Sequence, residues 1–122
     1  MTHPFAILIL DNEREVADMM AEVLALYFPD ARIQVAYTGE DAVRLGTARQ
    51  PCVAIMDLEM RGMGGEAAAH ALRSAFAENA VKLIALSGNV SRLAALRDSG
   101  PFDHLMSKPV DLQAMVELLR CK

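Results

Sequence analysis

Five short apolar runs alternate along this chain with stretches whose hydrophobic residues recur every three or four positions, an alternation that few folds can satisfy. Phe5 to Leu10 is continuously apolar and rich in branched residues, as expected of a strand covered by helices on both faces. Between Glu13 and Phe28 the period changes: Val16, Met19, Met20, Val23, Leu24 and Tyr27 form a stripe interrupted by Glu15, Asp18 and Glu22. An amphipathic helix is predicted there, stopped by Pro29, with Met19 and Met20 as core packing. Ile33 to Ala36 reads as a second strand. Thr38 and Asp41 have the Ser/Thr-x-x-acid spacing that opens a helix, here over Ala42 to Ala48, and Pro51 closes that unit. Cys52 to Met56 is the third strand, and a loop through Gly62, Gly64 and Gly65 leads into an alanine-rich helix over Glu66 to Phe76. Val81 to Leu86 is the fourth strand. Val90 to Ser99 is a helix ended by Gly100 and Pro101, and Leu105 to Ser107 is a short fifth strand. Leu112, Met115, Val116 and Leu119 share one face of a last helix over Leu112 to Leu119, with Asp111 as its N-cap.

Strands alternating with helices imply right-handed crossovers and a doubly wound parallel sheet in three α/β/α layers. Spacing alone leaves the strand order open. At 122 residues and 53% hydrophobic content, with no Pro/Gly/Ser-rich linker, residues 1–122 are expected to form one domain with a core of its own. A formal net charge of -4 argues against direct nucleic-acid binding. Cys52, inside an apolar run, and Cys121 read as reduced thiols rather than a disulfide framework, which points to the cytoplasm. The longest apolar stretch near the start is too short for a membrane span, and Met1 to Pro4 lacks the charged lead of a secretory signal.

Four of the apolar runs end on groups suited to phosphate chemistry: FAILIL before Asp11, CVAIM before Asp57, VKLIAL before Ser87 and HLMS before Lys108. In open parallel sheets, ligands sit beyond the carboxyl ends of the strands, near the point where strand order reverses. Two acids, a hydroxyl and an amine would therefore meet at one rim. No GxxxxGK[ST] phosphate loop is present, so a nucleotide-hydrolysing site of that kind is excluded.

With LILDNE around Asp11, IMDLEMRGMGG around Asp57, LIALSG around Ser87 and SKP at Ser107 to Pro109, the chain resembles, over essentially its whole length, the receiver domain of two-component response regulators, the CheY-like superfamily. The resemblance implies a flavodoxin-like (βα)5 fold and a phosphoprotein that switches partner affinity rather than turning over an external substrate. Asp57 would accept a phosphoryl group from a phosphohistidine on a sensor histidine kinase or a histidine phosphotransfer protein. Such transfer has a loose transition state with charge spread over three oxygens, so the site must supply positive charge and donors. Asp57 would attack phosphorus, Lys108 would pair with one phosphoryl oxygen and the Ser87 hydroxyl would donate to another. Mg2+, or Mn2+, would sit on Asp11, Asp57, the Glu59 backbone carbonyl and the Asn12 side chain. In the family the Lys-Pro bond after the last strand is usually cis, a form that X-Pro bonds reach at about 0.5–1 kcal/mol. Output would pass to a downstream protein or tethered domain, or to a homodimer, through the surface of helix 4, strand 5 and helix 5.

The chain departs from the family pattern at several positions. Asn12 stands where a second acid is usual, which predicts weakened metal binding. Arg61 replaces a usual proline, and Gly64 a residue that is often acidic, giving that loop a wider choice of backbone states. Leu105, three residues before Lys108, stands where a switch aromatic is usual. Glu59 and Asn89, two positions beyond Asp57 and Ser87, read either as tuners of phosphoryl lifetime or as solvated loop residues. His70, Arg73 and Arg92 read as solvated helix positions, and His104 as an edge residue. Two other readings stay open. A pseudo-receiver would bind partners without phosphorylation, and a haloacid-dehalogenase-like hydrolase would need a second aspartate where this chain has Glu59.

Overall fold

The computed structural model describes residues 5–60, 62–77, 80–97 and 100–120. Strands β1 (Ala6–Leu10), β2 (Arg32–Ala36), β3 (Val53–Asp57), β4 (Lys82–Ser87) and β5 (His104–Ser107) alternate with helices α1 (Arg14–Tyr27), α2 (Gly39–Ala48), α3 (Gly65–Ala75), α4 (Val90–Leu96) and α5 (Leu112–Arg120). All strand pairs are parallel and the order is β2-β1-β3-β4-β5. The chain is thus a flavodoxin-like α/β sandwich whose strand order reverses between β1 and β3.

The continuous apolar runs are explained by burial on both faces. Ile7, Ile9, Val53, Ile55, Ile84 and Leu86 pack with Ala17, Met20 and Leu24 of α1 and Met115, Val116 and Leu119 of α5. Alternate residues Leu8, Leu10, Ala54, Met56 and Leu83 point the other way, against Ala42 of α2 and Ala68, Ala69 and Leu72 of α3. Fully burying each large aliphatic side chain stabilises by about 1.5–3 kcal/mol, so the two faces together dominate the folding energy. β5 is an edge strand and only partly covered, which suits His104 as an edge residue.

Two predicted caps close as expected. Thr38 Oγ1 accepts from Asp41 N at 3.1 Å, and Asp111 Oδ1 accepts from Ala114 N at 3.1 Å. α2 begins at Gly39 rather than Ala42 because the residues following Thr38 already form its first turn. The helix predicted through Ser99 ends at Leu96, where Gly100 N donates to Leu96 O at 3.2 Å; Ser99, Arg61, Cys121 and Met1 to Pro4 lie outside the described residues.

Other expectations are corrected. The buried stripe of α1 runs through Ala17, Met20 and Leu24, leaving Met19 half exposed at 50% and Tyr27 at 48%. Positions 17, 20 and 24 keep the three- and four-residue spacing of one helix face, and Met19, about 100° around the helix from Met20, falls off it. Cys52 precedes β3 and is exposed, with Sγ accepting from Ala6 N at 3.5 Å. Arg73 is no solvated helix residue. Its guanidinium donates to Pro101 O at 2.6 Å, to Val81 O at 3.0 Å and to Asp103 Oδ2 at 3.0 Å, tying α3 to the segment before β5.

Candidate functional site

Asp11 follows β1 and Asp57 ends β3, the two neighbouring strands at which the order reverses. Ser87 ends β4 and Lys108 follows β5, so all four groups lie at the carboxyl ends of adjacent strands. The register fixes their level: Asp57 pairs with Leu86, Ser87 pairs with Ser107, and Lys108 N donates to Ser87 O at 2.9 Å. The Lys108–Pro109 peptide is cis.

Asp11, Asp57 and Ser87 are buried polar residues, at 1%, 1% and 0% exposure. Each is held by a specific partner, as burial of a polar group requires. Glu13 N donates to Asp11 Oδ1 at 2.9 Å, and Glu59 N donates to Asp57 Oδ1 at 3.1 Å. Lys108 Nζ bridges the acids, 3.3 Å from Asp11 Oδ2 and 3.2 Å from Asp57 Oδ1. Burial pushes the Asp57 carboxyl above its ordinary value; Lys108 opposes the rise and Asp11 adds to it. For Lys108 burial acts to lower the value, but the facing carboxylates of Asp57 and Asp11 outweigh it and hold the ammonium protonated.

Two carboxylates against one ammonium leave an excess negative charge, and desolvation already strains Asp57 toward the neutral form. A hard dication that keeps several waters fits this donor set through Asp11 and Asp57, with the Glu59 carbonyl in the adjoining turn. Among the described residues, no three His, Cys, Asp or Glu side chains gather to hold a metal by themselves. Asn12 is exposed beside Asp11.

Three features of the rim were not legible beforehand. A Cβ at Gly65 would collide with Asp57 O, so only glycine lets α3 start directly against the end of β3. Glu59 turns its carboxylate onto β4: Ser87 Oγ is 2.7 Å from Oε2 and 2.8 Å from Oε1, and Gly88 N donates to Oε1 at 2.8 Å. Arg92 NH1 stands 3.7 Å from Glu59 Oε2 while NH2 stands 3.9 Å from Glu66 Oε1, so Arg92, though still solvated, leans toward the site. Asn89 caps α4, its Oδ1 accepting from Arg92 N at 3.1 Å and its own N donating to Ser87 Oγ at 2.9 Å. Leu105 is half-buried on β5 opposite Ala85 and lines a hollow with Val90 and Leu93 of α4.

A buried acid pair under a lysine thus sits at the switch point of a (βα)5 sheet, an arrangement suited to a signalling domain. The response regulator receiver domain matches residues 7–120, and the chain belongs to that family. Its structure is similar to the signal receiver domain of a DNA-binding response regulator from Colwellia psychrerythraea 34H, with 30% identity, coverage of 94% of each chain and a TM-score of 0.83. A CheY-like receiver domain from Methanospirillum hungatei JF-1 shares the fold at 18% identity, covering 96% of this chain and 91% of that one, with a TM-score of 0.81. A third, CheY-like and from Methylobacillus flagellatus, gives 23% identity, 96% and 97% coverage, and a TM-score of 0.77. No curated protein matches the sequence. Family membership implies phosphorylation-dependent signalling in a two-component system, with histidine kinases and downstream effectors as partner classes, and sets aside the hydrolase reading. Among the described residues no helix is long and apolar enough to cross a membrane.

Proposed function

We propose that this domain is a cytoplasmic switch phosphorylated on Asp57. The Asp57 carboxylate attacks the phosphorus of a phosphohistidine on a sensor kinase or phosphotransfer protein, the P–N bond breaks, and an acyl phosphate forms as the imidazole leaves. Asp11, Asp57, the Glu59 carbonyl and the Asn12 side chain would hold Mg2+ or Mn2+, which would supply positive charge against the incoming group. Lys108 pairs with one phosphoryl oxygen and Ser87 donates to another. The observation that supports this most strongly is the Lys108 ammonium within 3.3 Å of two buried carboxylates from different strands, an arrangement of value to a transferring anion. Downstream, the acquired contacts shift the population of the α4, β5 and α5 surface, where Val90 is 74% exposed and Leu105 is partly covered. That surface binds an effector, a tethered domain or a second copy.

The test is incubation with a small phosphodonor and Mg2+, read by intact mass. Wild type gains one phosphoryl group and Asp57→Asn gains none. Absence of the adduct at every metal concentration would instead assign the chain to a pseudo-receiver acting by its fold alone.

A further inference from the structure

The two donors nearest the end of β4 are already in use by an anion belonging to the chain itself. Ser87 Oγ lies 2.7 Å and 2.8 Å from the two Glu59 carboxylate oxygens, and Gly88 N donates to Oε1 at 2.8 Å. A carboxylate and a phosphoryl group are both acceptor-only anions, and one hydroxyl proton cannot serve both. We propose that Glu59 is an internal competitor that occupies the phosphoryl-binding donors of the resting domain and must be evicted when Asp57 is modified. The inference rests on the reading of Asp57 as phosphoacceptor.

Sequence separation favours the occupied state. Glu59 is two residues from Asp57, whose Oδ1 accepts from Glu59 N at 3.1 Å, so the backbone is anchored and the carboxylate is presented at high effective concentration. Arg92 adds a second tether, but it matters less. At 3.7 Å, with side chains 38% and 42% exposed, that pair is screened by solvent, whereas the hydroxyl and amide contacts are short and converge on one carboxylate. Its consequence is directional. Arg92 sits in the first turn of α4, whose cap Asn89 donates from its own N to the same Ser87 oxygen at 2.9 Å. Eviction of Glu59 therefore breaks contacts on both Ser87 and α4, which couples the modified site to the output helix.

The experiment is a titration with beryllium trifluoride, an anion of phosphoryl shape, at saturating Mg2+, following the Gly88 amide by 15N–1H NMR. Mg2+ affinity is measured separately, so that a change in metal binding is not counted as a change in anion binding. Glu59→Ala is expected to bind the anion about tenfold more tightly than wild type, the equivalent of about one charge-assisted hydrogen bond returned to the ligand. Glu59→Asp keeps the charge but is one methylene too short to reach Ser87, and is expected to behave as Glu59→Ala. Arg92→Ala is expected to shift affinity less than either. Wild-type binding matched by Glu59→Ala overturns the competitor. So does wild-type affinity in Glu59→Asp, since charge alone would then account for any effect. Failure of wild type and Glu59→Ala alike to bind the anion removes the phosphoacceptor reading itself, a pattern distinct from equal binding by both.

Discussion

Lys108 Nζ lies 3.3 Å from Asp11 Oδ2, although 97 positions separate the two residues in the chain. The same ammonium is 3.2 Å from Asp57 Oδ1, so one cation neutralises half of a buried pair of acids. Replacing it with a neutral group leaves both carboxylates uncompensated.

Lys108→Ala is accordingly expected to lower stability by about 1–3 kcal/mol, the loss that follows when a buried charged group is left without its partner. Phosphoryl uptake from a small donor should fall about 10²- to 10³-fold, as for removal of one transition-state donor. Denaturant unfolding and intact-mass kinetics check the two effects separately. Uptake at the wild-type rate would exclude Lys108 from the chemistry.

Asp57 gives stability a pH dependence of determined sign. Its folded-state value is raised, chiefly by burial, so the folded protein binds the extra proton between the unfolded and folded values. Its contribution is fully present below the unfolded value, about 3.9, and is lost as pH rises through the folded one. With divalent cations chelated, Asp57→Asn should melt higher than wild type at neutral pH, with the gap closing as pH falls toward about 4. A gap that is flat from acid to neutral pH would show that burial of Asp57 is not what sets it.

Gly65→Ala places a Cβ against Asp57 O. Relief requires α3 or the end of β3 to move, and overpacking of this kind costs about 1–3 kcal/mol. Phosphoryl uptake should fall together with stability, because the displaced atom belongs to Asp57, the acceptor we propose. Circular dichroism melts and mass-monitored uptake on the same variant test the link; a stable variant with slow uptake would place the effect on positioning alone.

Asn12→Asp restores a second acid next to Asp11. Mg2+ affinity should rise several-fold, since charge count governs binding by hard oxygen ligands, and phosphorylation should saturate at lower metal. Equal metal dependence in the two proteins would exclude position 12 from the metal shell while leaving Asp57 untouched.

Much of this domain was written locally. Apolar runs such as FAILIL, the helical spacing of Met115, Val116 and Leu119, the Thr38 and Asp111 caps, and the polar residues terminating the strands are all properties of neighbours a few positions apart. They fixed the class of fold and nominated Asp11, Asp57, Ser87 and Lys108. The strand order β2-β1-β3-β4-β5 was not among them, because it depends on how helices share two faces of a sheet, and it is this order that sets Asp11 beside Asp57. Nor could spacing show that Ala17 rather than Met19 faces the sheet, that Arg73 spans from α3 to Pro101, or that Glu59 reaches 28 residues along the chain to Ser87. Periodicity records how each segment is to be buried. Which buried segments become neighbours, and which charges then face each other at the rim, is decided only when the whole core closes.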